Sequence, residues 1–167
     1  ELHDALIHAD KSSLIKLFEE NSAVQLADAL LPLGNDQIVL FYSIISFDYD
    51  KLGEIFSYLS VDERISLVNN LPKKTIQAVL SNVPNDDLAD FLEDITKALR
   101  SKILTYLPNK RRAIIEELAL LSDDTVGSIR TTEYLSVLSG TTVEDVFKKI
   151  KAIGNQLETV RTIFVVD

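Results

Sequence analysis

From Leu59 onward the apolar positions of this chain keep a beat of twelve residues. Leu59, Leu71, Val83, Ile95 and Leu107 stand twelve apart, and Ser60, Pro72, Pro84, Thr96 and Pro108 follow them. Two more columns keep step: Ile55, Leu67, Val79, Phe91, Ile103 and Ile115 in one, Phe56, Val68, Leu80, Leu92 and Leu104 in the other, which breaks at Glu116. Within each unit the columns fall at i, i+1 and i+4, the stripe of a helix and not the alternation of a strand. Each unit therefore predicts one short amphipathic helix, and each proline ends one helix and opens the first turn of the next. A helix this short cannot bury its stripe alone. Stacked repeats can, so the pattern predicts a helical superhelix.

Before the repeat, the spacing of Leu6, Leu14, Leu17 and Phe18 predicts one helix over Leu2 to Glu20. A second spans Ala23 to Leu31 and stops at Pro32 and Gly34, and a third spans Asp36 to Ser46. The repeat then runs to about Leu121, and the character changes at Ser122. A polar, glycine-containing stretch, Ser122 to Ser128, precedes β-branched sequence. Thr132 to Val137 and Thr159 to Val166 read as strands around a helix over Thr142 to Ile153 that Thr141 or Thr142 caps. The division expected is a superhelical domain over 1–121, a linker over 122–133, and the start of an α/β domain over 134–167, cut short after its β-α-β unit.

Composition narrows the function. The chain has 167 residues, 46% of them hydrophobic, enough for a sizeable core. No apolar run approaches the roughly twenty residues that cross a bilayer, and no secretory leader opens the chain. The absence of cysteine excludes disulfides, thiolate metal sites and thiol nucleophiles. A net charge of −9 argues against nucleic acid as a partner, since phosphate binding needs a basic face. No glycine-rich phosphate loop is present, and His3 and His8 have no partners suited to a metal pair or an acyl-transfer triad. An enzyme is not expected.

The segment DDTVGSIRTTEY within Ser122 to Tyr134 resembles the linker of the MgtE family of bacterial magnesium transporters, an acidic pair followed by an Ala-Gly-x-hydrophobic-Met-Thr-x-Glu-Tyr motif. Val126 stands at the alanine of that motif and Arg130 at its methionine. Thr142-Val143-Glu144-Asp145, and Glu158-Thr159 leading into Ile163 to Asp167, resemble the first half of a cystathionine-β-synthase-type (CBS) domain. The upstream repeat with Asp86-Asp87-Leu88-Ala89-Asp90 is similar to the family's amino-terminal superhelical domain. The fold class expected is thus mainly α: a right-handed superhelix of short helices in about 12-residue repeats, followed by a truncated β-α-β CBS fragment. The resemblance implies a regulatory, Mg²⁺-sensing segment on the cytoplasmic side of a bacterial inner-membrane transporter. Its implied partners are the CBS and transmembrane domains of the same full-length chain, with a homodimer formed through the CBS domains.

The candidate ion ligands are Asp86, Asp90, Asp87 and Asp94, with Asp123, Asp124, Glu116 and Glu117 behind them. Asp86 and Asp90 stand i, i+4 on one helix face, with no basic residue between them. Mg²⁺ takes hard oxygen ligands, keeps several waters and needs only one or two carboxylates from one element. The resemblance implies that weakly bound Mg²⁺ screens repulsion between this face and the CBS domains. The other reading is a helix start, where Asp86 and Asp87 cap free N–H groups and favour the dipole; Asp90 lies a turn too far in to cap. A different class of function also stands: a helical-repeat scaffold similar to flagellar motor switch proteins, binding a protein and no ion.

Overall fold

The computed structural model describes residues 2–8, 10–119, 134–153 and 162–167. Ten short helices come first: α1 (Leu2–Ile7), α2 (Lys11–Glu20), α3 (Ala23–Leu30), α4 (Asn35–Ile44), α5 (Tyr49–Tyr58), α6 (Val61–Asn70), α7 (Lys73–Ser81), α8 (Asn85–Glu93), α9 (Lys97–Leu104) and α10 (Asn109–Leu118). Strand β1 (Leu135–Leu138), helix α11 (Val143–Ile153) and strand β2 (Ile163–Val166) follow. The linker proposed over 122–133, with Val126 and Arg130, lies outside the described residues, as do Glu158 and Thr159.

The helix expected over Leu2 to Glu20 is two helices, and Asp10 makes the break. Its carboxylate accepts hydrogen bonds from the Ser12 and Ser13 amides at 3.1 and 3.3 Å, and from both hydroxyls at 2.6 Å. A residue that caps the next helix cannot stay inside the previous one.

The twelve-residue beat proves to be the beat of the N-caps. Ser60, Pro72, Pro84, Thr96 and Pro108 each stand one residue before a helix, with φ between −65° and −50° and ψ between 141° and 160°. Proline therefore sits one place earlier than the first-turn position expected from sequence. Its ring fixes the same φ that the N-cap adopts here, and Ser60 and Thr96 reach it with a side-chain acceptor instead. Ser60 and Glu63 complete a capping box.

All of the column residues preceding the caps are buried, as are all six in the column of Phe91. From α3 on, the main helix contacts are with the next but one: α3 on α5, α4 on α6, α5 on α7, α8 on α10. That spacing is what a superhelical stack requires, since each apolar stripe is covered by helices one turn away. Gly53 marks a close crossing. A Cβ there would lie 2.6 Å from the backbone carbon and oxygen of Asn82, at the end of α7.

Helices of eight to ten residues leave many C-terminal carbonyls without an intrahelical donor. Later repeats supply side-chain donors. Lys51 Nζ donates to Phe18 O at the end of α2, and Lys102 Nζ donates to Val68 O at 3.3 Å in α6. Arg64 Nε donates to Leu59 O at 2.7 Å after α5, Arg100 Nε to Leu92 O at 2.7 Å in α8, and Arg112 Nε to Leu104 O at 2.9 Å ending α9. Arg64, Arg100 and Arg112 occupy one twelve-residue column, shared with Ile76 and Leu88. A cation at a helix C-terminus also favours the dipole.

Strands β1 and β2 pair in parallel, Leu135 opposite Ile163 and Leu138 opposite Val166, with α11 as the crossover. Thr142 caps α11: its hydroxyl accepts from the Asp145 amide at 3.2 Å and donates to the Asp145 carboxylate at 2.8 Å. Val143 and Phe147 remain 71% and 60% exposed.

Two expectations arise from this packing. Gly53→Ala gains helix propensity of about 1 kcal/mol but drives its methyl into rigid backbone, so it destabilises the chain by roughly 1–3 kcal/mol, read from urea denaturation; a rise in stability would show that α7 yields. At Asp10 the hydrogen bonds from the Ser12 and then the Ser13 hydroxyl hold the carboxyl pKa at about 2. A carboxyl whose pKa is depressed by folding stabilises above its unfolded value of about 4, and that contribution is lost as pH falls towards 2. Amide exchange at Ser12 and Ser13 should accelerate across this window, and should lose that dependence in Asp10→Asn.

Candidate functional site

Helix α8 presents the acidic residues, and its buried side fixes where they point. Leu88, Ala89, Phe91 and Leu92 are buried. At about 100° per residue, Asp86, Asp90, Asp94 and Asp87 follow one another around roughly 100° of the remaining surface, with Phe91 just beyond Asp87. Asp90 and Asp94 are exposed, and Asp86 and Asp87 are half-buried in the first turn. Both readings of these residues therefore keep support: Asp86 and Asp87 face the positive end of the dipole, and Asp90 lies beyond it.

The start of α8 is held from α10. Asn85 is the one buried polar residue among those described, 7% exposed. Arg111 Nε donates to Asn85 Oδ1 at 2.8 Å, its Nη1 to Leu80 O at 2.9 Å, and its Nη2 to Val83 O. One guanidinium thus ties the end of α7, the turn and the first residue of α8 to α10. The orientation of Asp86 and Asp87 follows from this clamp.

A cation absent from the local sequence reaches the other edge of the face. Arg64, on α6, places its guanidinium carbon 5.6 Å from the Phe91 ring centroid and 5.7 Å from that of Phe56. The two rings meet edge to face at 5.5 Å. Asp87 and Asp94 flank Phe91 at i−4 and i+3, so a cation over that ring is their neighbour. Burial lowers the Arg64 pKa, and the charges of Asp87, Asp94, Tyr42 and Asp90, in that order, oppose the shift. Sequence spacing alone showed no basic residue among these carboxylates; the fold supplies one from α6. The twelve-residue column of Arg64, Arg100 and Arg112 was the available signal.

Of the remaining candidates, Glu116 and Glu117 are exposed on α10, and Asp123 and Asp124 lie outside the described residues. Among the described residues no three histidine, aspartate or glutamate side chains converge as a metal-holding group. What α8 offers is an open row of carboxylates suited to a hydrated ion, not an enclosed cage. His3 Nδ1 lies 3.9 Å from Asp4 Oδ1. His8 borders a surface cavity of about 470 Å³ with Asp4, Asp10, Lys16 and Glu20.

Fold and face together define a helical-repeat domain with an acidic outer helix, joined in sequence to a parallel β-α-β unit, and no described helix is long and apolar enough to cross a membrane. Residues 21–124 match the MgtE intracellular N domain family, and the chain belongs to that family. The magnesium transporter MgtE of Thermus thermophilus is 29% identical over 169 residues, covering 99% of this chain and 37% of the relative. The chain thus spans little over a third of that relative's length. A crystal structure of the cytosolic domain of the Mg²⁺ channel MgtE in complex with ATP superposes with a TM-score of 0.85 at 28% identity, covering 99% of this chain and 67% of that one. The soluble part of a magnesium transporter gives the same TM-score at 22% identity, over 99% and 65%. The mainly α superhelix with its small parallel sheet is the fold of these cytosolic domains.

The Arg111 clamp carries its own expectation. Asn85→Ala removes the Oδ1 acceptor of the half-buried Arg111 guanidinium and should cost about 1–3 kcal/mol in urea denaturation. Asn85→Asp keeps an acceptor oxygen and should cost less.

Proposed function

We propose that this chain is a Mg²⁺-sensing cytosolic segment of an MgtE-type magnesium transporter, and that Asp86 and Asp90 are the residues through which it responds to the ion. The observation that carries the reading is the row from Asp86 to Asp90 on the open side of α8, in a chain of which 99% superposes on the cytosolic domain of a Mg²⁺ channel. Carboxylates one turn apart repel by a few tenths of a kcal/mol. A hydrated Mg²⁺ held between them and a second acidic surface removes that repulsion and favours the state in which the two surfaces are close. In this reading 134–167 begins a CBS domain, and the second surface lies on the CBS domains of the same polypeptide or of its homodimer partner. Closure at high intracellular Mg²⁺ is passed to a membrane pore in the full-length chain. The ion shifts this equilibrium only by its differential affinity for the two states. Asp87 and Asp94, which border Arg64, contribute charge to the same face.

The scaffold reading has the helical repeat in its favour. It gives no account of an acidic row on the open side of α8.

Amide shifts of the 167-residue chain test the proposal during Mg²⁺ titration. Shifts centred on α8 and saturating in a roughly millimolar range are expected. At ten times Kd the ion should stabilise the chain by about 1.4 kcal/mol. Asp86→Asn/Asp90→Asn should abolish both effects, while without Mg²⁺ its stability stays within about 1 kcal/mol of the parent, relief of the i, i+4 repulsion partly offsetting the lost dipole interaction of Asp86. An unchanged Mg²⁺ response in the double variant would refute the assignment.

A further inference from the structure

One edge of the acidic face lies beside a cation of the chain's own. Arg64 is fixed on three sides: two buried rings lie against its guanidinium carbon, and its nitrogens donate to Leu59 O and Ser57 O at the end of α5. A guanidinium held by that many contacts cannot leave when another cation arrives, unlike a surface lysine on a flexible stem. Its place over Phe91 sets it beside Asp87 and Asp94. Around α8, Asp86 lies furthest from Phe91 and Asp90 next furthest. The charges felt by Arg64 follow the same order, with Asp87 and Asp94 strongest and Asp90 weakest of these aspartates.

We propose that Arg64 is a tethered counter-ion that sets the Mg²⁺ threshold of the α8 face: its permanent charge offsets the Asp87 and Asp94 edge and weakens divalent binding across the face. The proposal rests on the Mg²⁺ reading given above. The physical logic is competition between charges. A divalent ion gains from every carboxylate within about a Debye length, and a fixed monovalent cation inside that radius subtracts from the gain. A chain with the same carboxylates and no Arg64 would saturate at lower Mg²⁺. The same column holds Ile76 and Leu88, so a cation at position 64 is not demanded by the repeat itself.

The test compares the 167-residue chain with Arg64→Gln and Arg64→Lys, following α8 amide shifts with Mg²⁺ alone. Arg64→Gln should bind roughly two- to fivefold tighter at low salt, with the difference shrinking as KCl is raised. Arg64→Lys keeps the charge on a flexible stem and loses the two-pronged hydrogen bonding, so it should melt earlier yet keep a Kd nearer the parent's than Arg64→Gln does. That split separates a charge role from a structural one. Equal Kd in parent and Arg64→Gln would overturn this proposal and leave the Mg²⁺ reading standing. An absence of any α8 shift in the parent would overturn both. If Arg64→Gln does not fold, the Arg64 Nε–H resonance of the parent gives the answer. It should move with Mg²⁺ along the same saturation curve as the Asp87 and Asp94 amides, and an unmoved resonance at saturation would overturn the proposal.

Discussion

Unpaired backbone at helix ends is the constraint on which the rest of this structure depends. A helix of eight to ten residues has as many peptide groups at its ends as in its middle, and a series of such helices multiplies the problem. Asp10, Ser22, Asp48, Ser60 and Thr96 supply acceptors at N-termini. Lysine and arginine side chains supply donors at C-termini, often from the following helix or from one more than twenty residues on. Hydrophobic burial holds the stack together, but this cross-bracing fixes the angle at which each helix leaves the last.

The same bracing shapes the surface charge. Lys51, Arg64, Arg100, Lys102, Arg111 and Arg112 all donate to carbonyls near helix ends, drawing cations out of a pool that totals 17 lysines and arginines against 26 acidic residues. Acidic residues gather instead at helix N-termini, where the dipole welcomes them. Helix α8 combines the two effects: Arg111 clamps its first turn, Arg64 lies along one edge, and the carboxylates of Asp86 and Asp90 occupy the rest. Capping and the ion response proposed above are thus compatible uses of one helix. Asp86 serves the first turn by position, and Asp90 extends the row outward.

The relation to the MgtE cytosolic domains rests on architecture as much as on identity. At 28–29% identity the shared quantity is the stacking geometry, which in this chain the cap column enforces with either proline or a hydroxyl side chain. These residue types share no chemistry except the backbone angles they accept before a helix. The β-α-β unit adds a parallel pair whose crossover helix still exposes Val143 and Phe147, an apolar surface of the kind that a complete α/β layer covers.

Spacing along the chain was enough to establish the helical stripe, the twelve-residue period and the burial of its columns, because a 3.6-residue turn converts spacing directly into a face. It also indicated the β-α-β order and a threonine cap at 141 or 142, since those signals are local, and the structure assigns the cap to Thr142. It misplaced the break at Asp10, where an i, i+4 apolar pattern continued through a residue whose capping geometry overruled it. Of the candidate face, the positions of the four aspartates on one arc of α8 were legible from spacing alone. Which edge of that arc carries compensating charge emerged only from the packing of α6, because Arg64 is more than twenty residues away and reaches α8 through the contact of Phe56 with Phe91. Coulombic neighbours are set by distance in space, and helical periodicity reports only neighbours along the chain.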